Sequence, residues 1–188
     1  MLPEHLKSFR EMTTLKDGAY VLLRPMVAKD QQKLMEFYSA VCDEDLRYFR
    51  DYVKEPDVVQ GWCENLDYDR VLPILALVKE RVVGCASLHF NERSRRHTAE
   101  IRLFLAKDFR KRGLGMKMVR TLVDLARKQS MSILTAEVVS DKSDVVKAFE
   151  TLGFRQKATL DDYFMFPDGE SRDVILLSLN LAPKTDEF

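Results

Sequence analysis

Three cations and two glycines stand together in the run DFRKRGLGMKMV, residues 108–119. They are Arg110, Lys111, Arg112, Gly113 and Gly115, with Leu114 between the glycines. Beyond them Met118, Val119, Leu122, Val123 and Ala126 recur with helical period. A helix that starts at a glycine turn presents unbonded main-chain N–H groups and the positive end of its dipole. Such an end suits phosphate. Gly113 and Gly115 let the backbone approach an anion without a Cβ in the way, and the three side chains add positive charge. A phosphorylated ligand is the chemistry these residues fit together.

The pattern excludes two common phosphate binders. The P-loop motif G-x-x-x-x-G-K-[ST] is absent. The dinucleotide fingerprint needs a third glycine where Met118 stands. Cys42, Cys63 and Cys85 lie far apart, in no C-x-x-C pair and without histidine at metal-ligand spacing. They read as small apolar residues in a reducing compartment, and no metal is expected.

The elements around the turn follow from periodicity. AYVLLRPM (residues 19–26) reads as a strand that Pro25 ends. Residues 29–42 read as a helix with Leu34, Tyr38, Val41 and Cys42 on one face. The acidic run Asp43-Glu44-Asp45 follows, then one or two short helices, one of them over residues 57–65. VLPILALV (71–78), VVGCASLHF (82–90) and HTAEIRLFLA (97–106) read as three meandering strands. In the last, Ala99, Ile101, Leu103 and Leu105 face one way, and Glu100, Arg102 and Phe104 the other. After the helix, ILTAEVV (133–139) completes a parallel strand–helix–strand unit. A short helix follows, capped by Ser143 and stopped by Gly153. Two final strands flank the turn PDGES, residues 167–171.

The expected fold is therefore α/β (α+β): a mixed, mostly antiparallel central sheet of about seven strands with one parallel crossover. The 188 residues suit a single domain, 1–188, with 1–17 open to being a flexible N-terminal segment. Apolar residues at 46% allow a sizeable core. The 30 basic and 30 acidic side chains cancel, which argues against nucleic acid as partner. The polar N-terminus is no signal peptide and no apolar run approaches bilayer length, so the protein is expected in the cytoplasm, with no membrane partner.

Residues 110–115 match the [QR]-x-x-G-x-[GA] pyrophosphate loop of the GNAT N-acetyltransferases. AEI in the strand before it, the strand ILTAEVV after the helix, and Gly153-Phe154 at the end of the next helix agree with that family. The similarity covers roughly residues 71–181. The resemblance implies a sheet with helices on both faces and a splayed strand pair that binds CoA. It implies acetyl-CoA as cosubstrate and an amine acceptor, in a monomer or homodimer. The loop at Arg110, Lys111, Arg112, Gly113, Leu114 and Gly115 would hold the pyrophosphate. Main-chain groups of Leu103, Phe104 and Leu105 would pair with the pantetheine like an added strand.

Glu100 matches the position where some family members carry the general base, with Glu137 in reserve. The family's usual acid is a tyrosine where this chain has Phe149, and its frequent asparagine is here Lys142. Tyr163 is the alternative acid. His97 and Cys85 are weaker candidates for base and nucleophile. Lys111, Lys117 and Lys142 are within reach of the 3′-phosphate in this reading. The acceptor wall falls on residues 29–66 and the late hairpin, where Asp43, Glu44, Asp45 and Glu64 read first as a solvated acidic helix end and second as an attractor for a cationic amine. The late RDV strand and the missing helix tyrosine resemble bacterial protein-lysine acetyltransferase domains, so a protein lysine is the first acceptor. A small-molecule amine and a non-catalytic acyl-CoA sensor are the alternatives.

Overall fold

Alternating and continuous apolar runs give the described residues eight strands in a mixed, mostly antiparallel open sheet. The structure is a computed structural model and describes residues 8–181. These divide into two compact units. One holds the described residues up to Ser87 together with Leu103–Met118; the other holds Leu88–Arg102 and the residues from Val119 onward.

In the first unit β1 (Glu11–Thr14) and β2 (Tyr20–Pro25) form an antiparallel hairpin. The sequence reading gave about seven strands and left residues 1–17 outside them. The eighth is β1, whose residues alternate too briefly to announce a strand without the partner β2 supplies. β2 pairs antiparallel with β3 (Val71–Val78), a run buried at six consecutive positions. That continuous burial marks a strand covered on both faces.

A 3-10 turn, Ala28–Asp30, leads into α1 (Gln31–Ser39). The helix expected over 29–42 ends sooner, and Val41 stays buried beyond its end. α2 (Asp43–Leu46) lies in the acidic run itself, and α3 (Pro56–Glu64) buries Val59 and Cys63. Trp62 is only half-buried. Their apolar faces cover Leu75 and Leu77 of β3 and Val82 of β4 (Arg81–Phe90). Gly84 keeps a further contact close: a Cβ there would stand 2.8 Å from the Leu105 side chain and 3.0 Å from the sulfur of Met118.

The second unit contains the beginning of β5 (Thr98–Leu105), which pairs in parallel with β6 (Ile133–Val139). That ladder runs from Thr98↔Ile133 to Glu100↔Thr135 and ends there. α4 (Leu114–Lys128) supplies the crossover between β5 and β6, with Leu122, Leu125 and Ala126 at 1% exposure or less. β8 (Ser171–Asn180) pairs antiparallel with β6 on one side and with β7 (Arg155–Met165) on the other. The strand order in this unit is thus β5-β6-β8-β7.

α5 (Ser143–Thr151) starts one residue away from the sequence expectation. Lys142 is the capping position and Ser143 is already helical, so no side-chain cap forms. Gly153 ends the turn at φ 92°, and the Phe154 amide donates to the Phe149 carbonyl at 3.1 Å. Phe149 and Phe154 then meet edge to face at 5.0 Å, both in the core.

One buried ion pair sets the entry to α1. Arg24 forks onto Asp30, with Nη1 to Oδ2 at 2.7 Å and Nη2 to Oδ1 at 2.5 Å, and the Val27 amide donates to Asp30 Oδ2 at 2.8 Å. Asp30 is 2% exposed. Burial alone would push its carboxyl up; the Arg24 guanidinium and the Val27 amide outweigh that and hold it below the ordinary value of 3.8. Removing one partner leaves the other charge buried, so Asp30→Ala should cost about 3–5 kcal/mol at pH 7 in chemical denaturation. A depressed carboxyl stabilises above its unfolded pKa, and the contribution is lost as pH falls through the folded value. The stability gap between wild type and Asp30→Asn should therefore narrow between pH 7 and pH 3. A gap that is constant with pH would contradict the ion-pair account.

Candidate active site

The turn before α4 takes its shape from two left-handed residues. Lys111 has φ 58° and Gly113 φ 87°. A lysine adopts that region only at a cost, whereas glycine adopts it freely. The two glycines do different work. Around Gly113 a Cβ would meet nothing nearer than Lys16 at 3.8 Å, so its role is conformational. At Gly115 a Cβ would stand 3.3 Å from Leu103 Cδ2 and from Leu105 Cδ1, so its role is closeness to β5. The first intrahelical bond joins the Lys117 amide to the Gly113 carbonyl at 3.2 Å. The amides of Leu114, Gly115 and Met116 precede it and have no intrahelical partner. A main-chain cradle for an anion results, built on a helix of 15 residues.

The cations beside the cradle are largely engaged with the protein. Arg110 forks onto Asp45, Nη1 to Oδ1 at 3.1 Å and Nη2 to Oδ2 at 2.7 Å. Its Nε and Nη2 also donate to the Leu105 carbonyl at 3.2 and 3.1 Å, and its guanidinium lies 5.3 Å from the centre of the Phe104 ring. Arg112 pairs with Asp17 and lies 4.2 Å over Phe109. Asp108 is held by Arg81, at 2.6 and 3.0 Å. Lys111, by contrast, points its exposure to solvent. The sequence presents three equivalent cations; the structure makes two of them braces. Their partners lie 65 and 95 residues away in the chain, so no local signal announces them.

Phe104 sits in an aromatic group with Phe37 at 5.7 Å and Phe49 at 4.6 Å. Beside it opens a cavity of about 260 Å³ lined by Phe37, Val41, Asp45, Val82, Phe104 and Arg110, among others. Cys85 lies against Tyr38 in this region, and burial pushes its thiol up to about 11, with only partial relief from the tyrosine hydroxyl. It is a packing residue here, not an activated nucleophile.

Glu100 is 17% exposed at its side chain and takes a fork from Arg102, Nε to Oε1 at 3.1 Å and Nη2 to Oε2 at 3.0 Å. It is the last residue of the β5–β6 ladder. Tyr163 is not brought to it. Glu100 is level with Thr135, Ser178 and Arg155 across the strands. Tyr163 adjoins Phe164, which pairs with Arg172, six residues along β8 from Ser178. Three strand spacings give about 14 Å sideways and six residues about 20 Å along the strands. Tyr163 is moreover 61% exposed, beside Asp162 at φ 49° where the β7–β8 register shifts. A base at Glu100 and an acid at Tyr163 cannot act on one atom pair at that distance. Phe149, in the place of the expected acid, is buried core. His97 is exposed, and its carbonyl accepts from the Ser132 and Ile133 amides. Among the described residues no group of side chains is arranged to hold a metal, and no helix is long and apolar enough to cross a membrane.

The sequence and the fold both have relatives. Residues 30–154 match the acetyltransferase (GNAT) family. The [ribosomal protein bS18]-alanine N-acetyltransferase of Escherichia coli K12 is 27% identical over 75 residues, 40% of this chain and 50% of that one. The chain thus spans about half the length of the curated relatives it matches. The GNAT domain of S. lividans PAT superposes with a TM-score of 0.77 at 21% identity, covering 96% of this chain and all of that one. The structure of yncA from Salmonella typhimurium, with its cofactor acetyl-CoA, gives 0.74 at 20% identity over 88% and 96% of the two chains. With the family match spanning the cradle, β5, β6 and α5, the chain belongs to the acetyltransferase (GNAT) family.

Proposed function

We propose that the protein is an N-acetyltransferase that moves an acetyl group from acetyl-CoA to a primary amine by direct attack in a ternary complex. The cradle carries this reading: left-handed Lys111 and Gly113, then three unbonded amides at the start of α4. The donor set fits a diphosphate, because main-chain N–H groups and a helix N-terminus favour anionic oxygen and Gly113 adds no side chain. The main chain of Arg110, Lys111, Arg112, Gly113, Leu114 and Gly115 would hold that group, and the main chain of Leu103, Phe104 and Leu105 the arm that follows it. Acetyl-CoA, when bound, supplies the reactive thioester.

Glu100 is the residue assigned to take the amine's proton, directly or through water, since only a neutral amine is nucleophilic. Arg102 holds its carboxylate in one orientation. No acid is assigned: Phe149 has no proton to give and Tyr163 lies too far from Glu100. The thiol product therefore gains its proton from solvent. A protein amine is the favoured acceptor. A lysine of a protein is the first reading, and the similarity to a ribosomal-protein alanine acetyltransferase favours a second, the α-amine of an N-terminal alanine. The two differ in what they ask of the base. A lysine amine has a pKa near ~10.4 and an α-amine near ~7.7–8.0, so the α-amine is substantially neutral at physiological pH without help.

Gly113→Asp should weaken acetyl-CoA binding at least about tenfold in calorimetry, through the left-handed φ and through charge repulsion. Gly113→Ala should weaken it less, because it brings the strain alone. Unchanged affinity in a folded Gly113→Asp protein would remove the cradle assignment. Glu100→Gln should lower kcat/KM for a lysine peptide by about a hundredfold at pH 7, and by much less near pH 10. An equal loss at both pH values would remove the base role. Release of free thiol with lysine peptides, N-terminal alanine peptides and polyamines identifies the acceptor. Tight acetyl-CoA binding with no thiol release from any amine would favour a non-catalytic acyl-CoA sensor.

A further inference from the structure

Arg110 joins three pieces of the first unit. Its guanidinium bonds the carbonyl of Leu105 at the end of β5, forks onto Asp45 in α2, and lies over Phe104. Its own main chain opens the turn that leads to the cradle. The Asp45 side chain is 16% exposed and that of Arg110 34%. The carboxylates of the other pairs around this turn are wetter: Asp108 is 55% exposed and Asp17 43%. Exposed ion pairs contribute little. A forked, largely covered pair that also caps a carbonyl is the one with geometric force. Cys42, the residue before α2, donates its thiol at 3.3 Å to Asp45 Oδ2, the same oxygen that Arg110 Nη2 holds.

We infer that Asp45 is a positioning residue: through Arg110 it sets the Leu105 carbonyl and the turn before α4, so that the wall of α1 and α2 and the anion cradle are held as one unit. The inference rests on the proposed function only in naming that wall the acceptor side and the cradle the donor side. Its physical content is a strut. Any ligand that orders the turn acts on α2 through Arg110, and by linkage any ligand ordering α2 acts on the turn by the same factor. Asp45, within the acidic run, is then a structural partner of the basic loop, whereas Asp43 stays exposed beside Lys54.

Hydrogen–deuterium exchange on the full chain tests this with and without acetyl-CoA. In the free protein, Asp45→Asn should speed exchange of the amides over residues 103–115 at least about threefold and leave β6 and β8 unchanged. In the wild type, acetyl-CoA should slow residues 42–49 by about threefold or more; in Asp45→Asn the slowing should stay within the cradle. Wild-type exchange over 103–115 in the free variant, or no effect of acetyl-CoA on 42–49 of the wild type that binds it, would overturn the strut. Should Asp45→Asn fail to fold, Arg110→Lys, which keeps the charge but loses the fork, should give the same two results. If the wild type binds no acetyl-CoA, the acetyltransferase reading falls while the free-protein arm still decides the strut. With turnover, Asp45→Asn and Arg110→Gln should each raise the acceptor KM about tenfold and the double variant no further. Multiplying effects would mean that the two residues act separately.

Discussion

The first turn of α4 leaves main-chain donors without partners inside the helix, and the surrounding structure is arranged to keep that end both open and close to β5. Openness comes from the left-handed pair Lys111 and Gly113, which turns the chain before the helix begins. Closeness comes from Gly115, where any Cβ would meet Leu103 and Leu105. Gly84 repeats the device one strand away, against Leu105 and Met118. A helix end is stable in water without such care. It becomes a binding element when its amides are held at a fixed place beside a strand, and the glycines make room there for the leucine side chains of β5.

Charge around this turn is organised differently from what a count of cations suggests. Arg110 and Arg112 are braces, and their carboxylates neutralise them locally. An anion therefore meets oriented amides, with Lys111 as the exposed cation of the three. That arrangement favours a ligand whose shape fits the turn over polyanions in general, in keeping with the zero net charge of the chain.

The local parts of this protein were legible in its sequence. The helix stripe of α4, the alternation of β5, the hydrophobic run of β3 and the stop at Gly153 depend on neighbours within a few residues, and each appears where the pattern puts it. The parts that were not legible depend on distant partners. β1 is a strand because β2 pairs with it. Arg110 is a brace because Asp45 lies opposite, 65 residues earlier. The separation of Glu100 from Tyr163 follows from the order in which β6, β8 and β7 are laid down, which periodicity does not carry. Ser143 was misread for a subtler reason: a good capping residue stood one position inside the helix, and Lys142 took the boundary without any side-chain bond.

The aromatic group under α1 has an optical consequence. The chain has a single tryptophan, Trp62 on α3, half-buried with its indole 5.6 Å from Tyr38. Tyr38 in turn touches Phe37 and Phe49, and both of those rings touch Phe104 of β5. Tryptophan emission from the protein therefore comes from one place, on the helical layer beside the end of β5. Its colour and intensity are a native, label-free gauge of how tightly that layer is packed, readable in a cuvette.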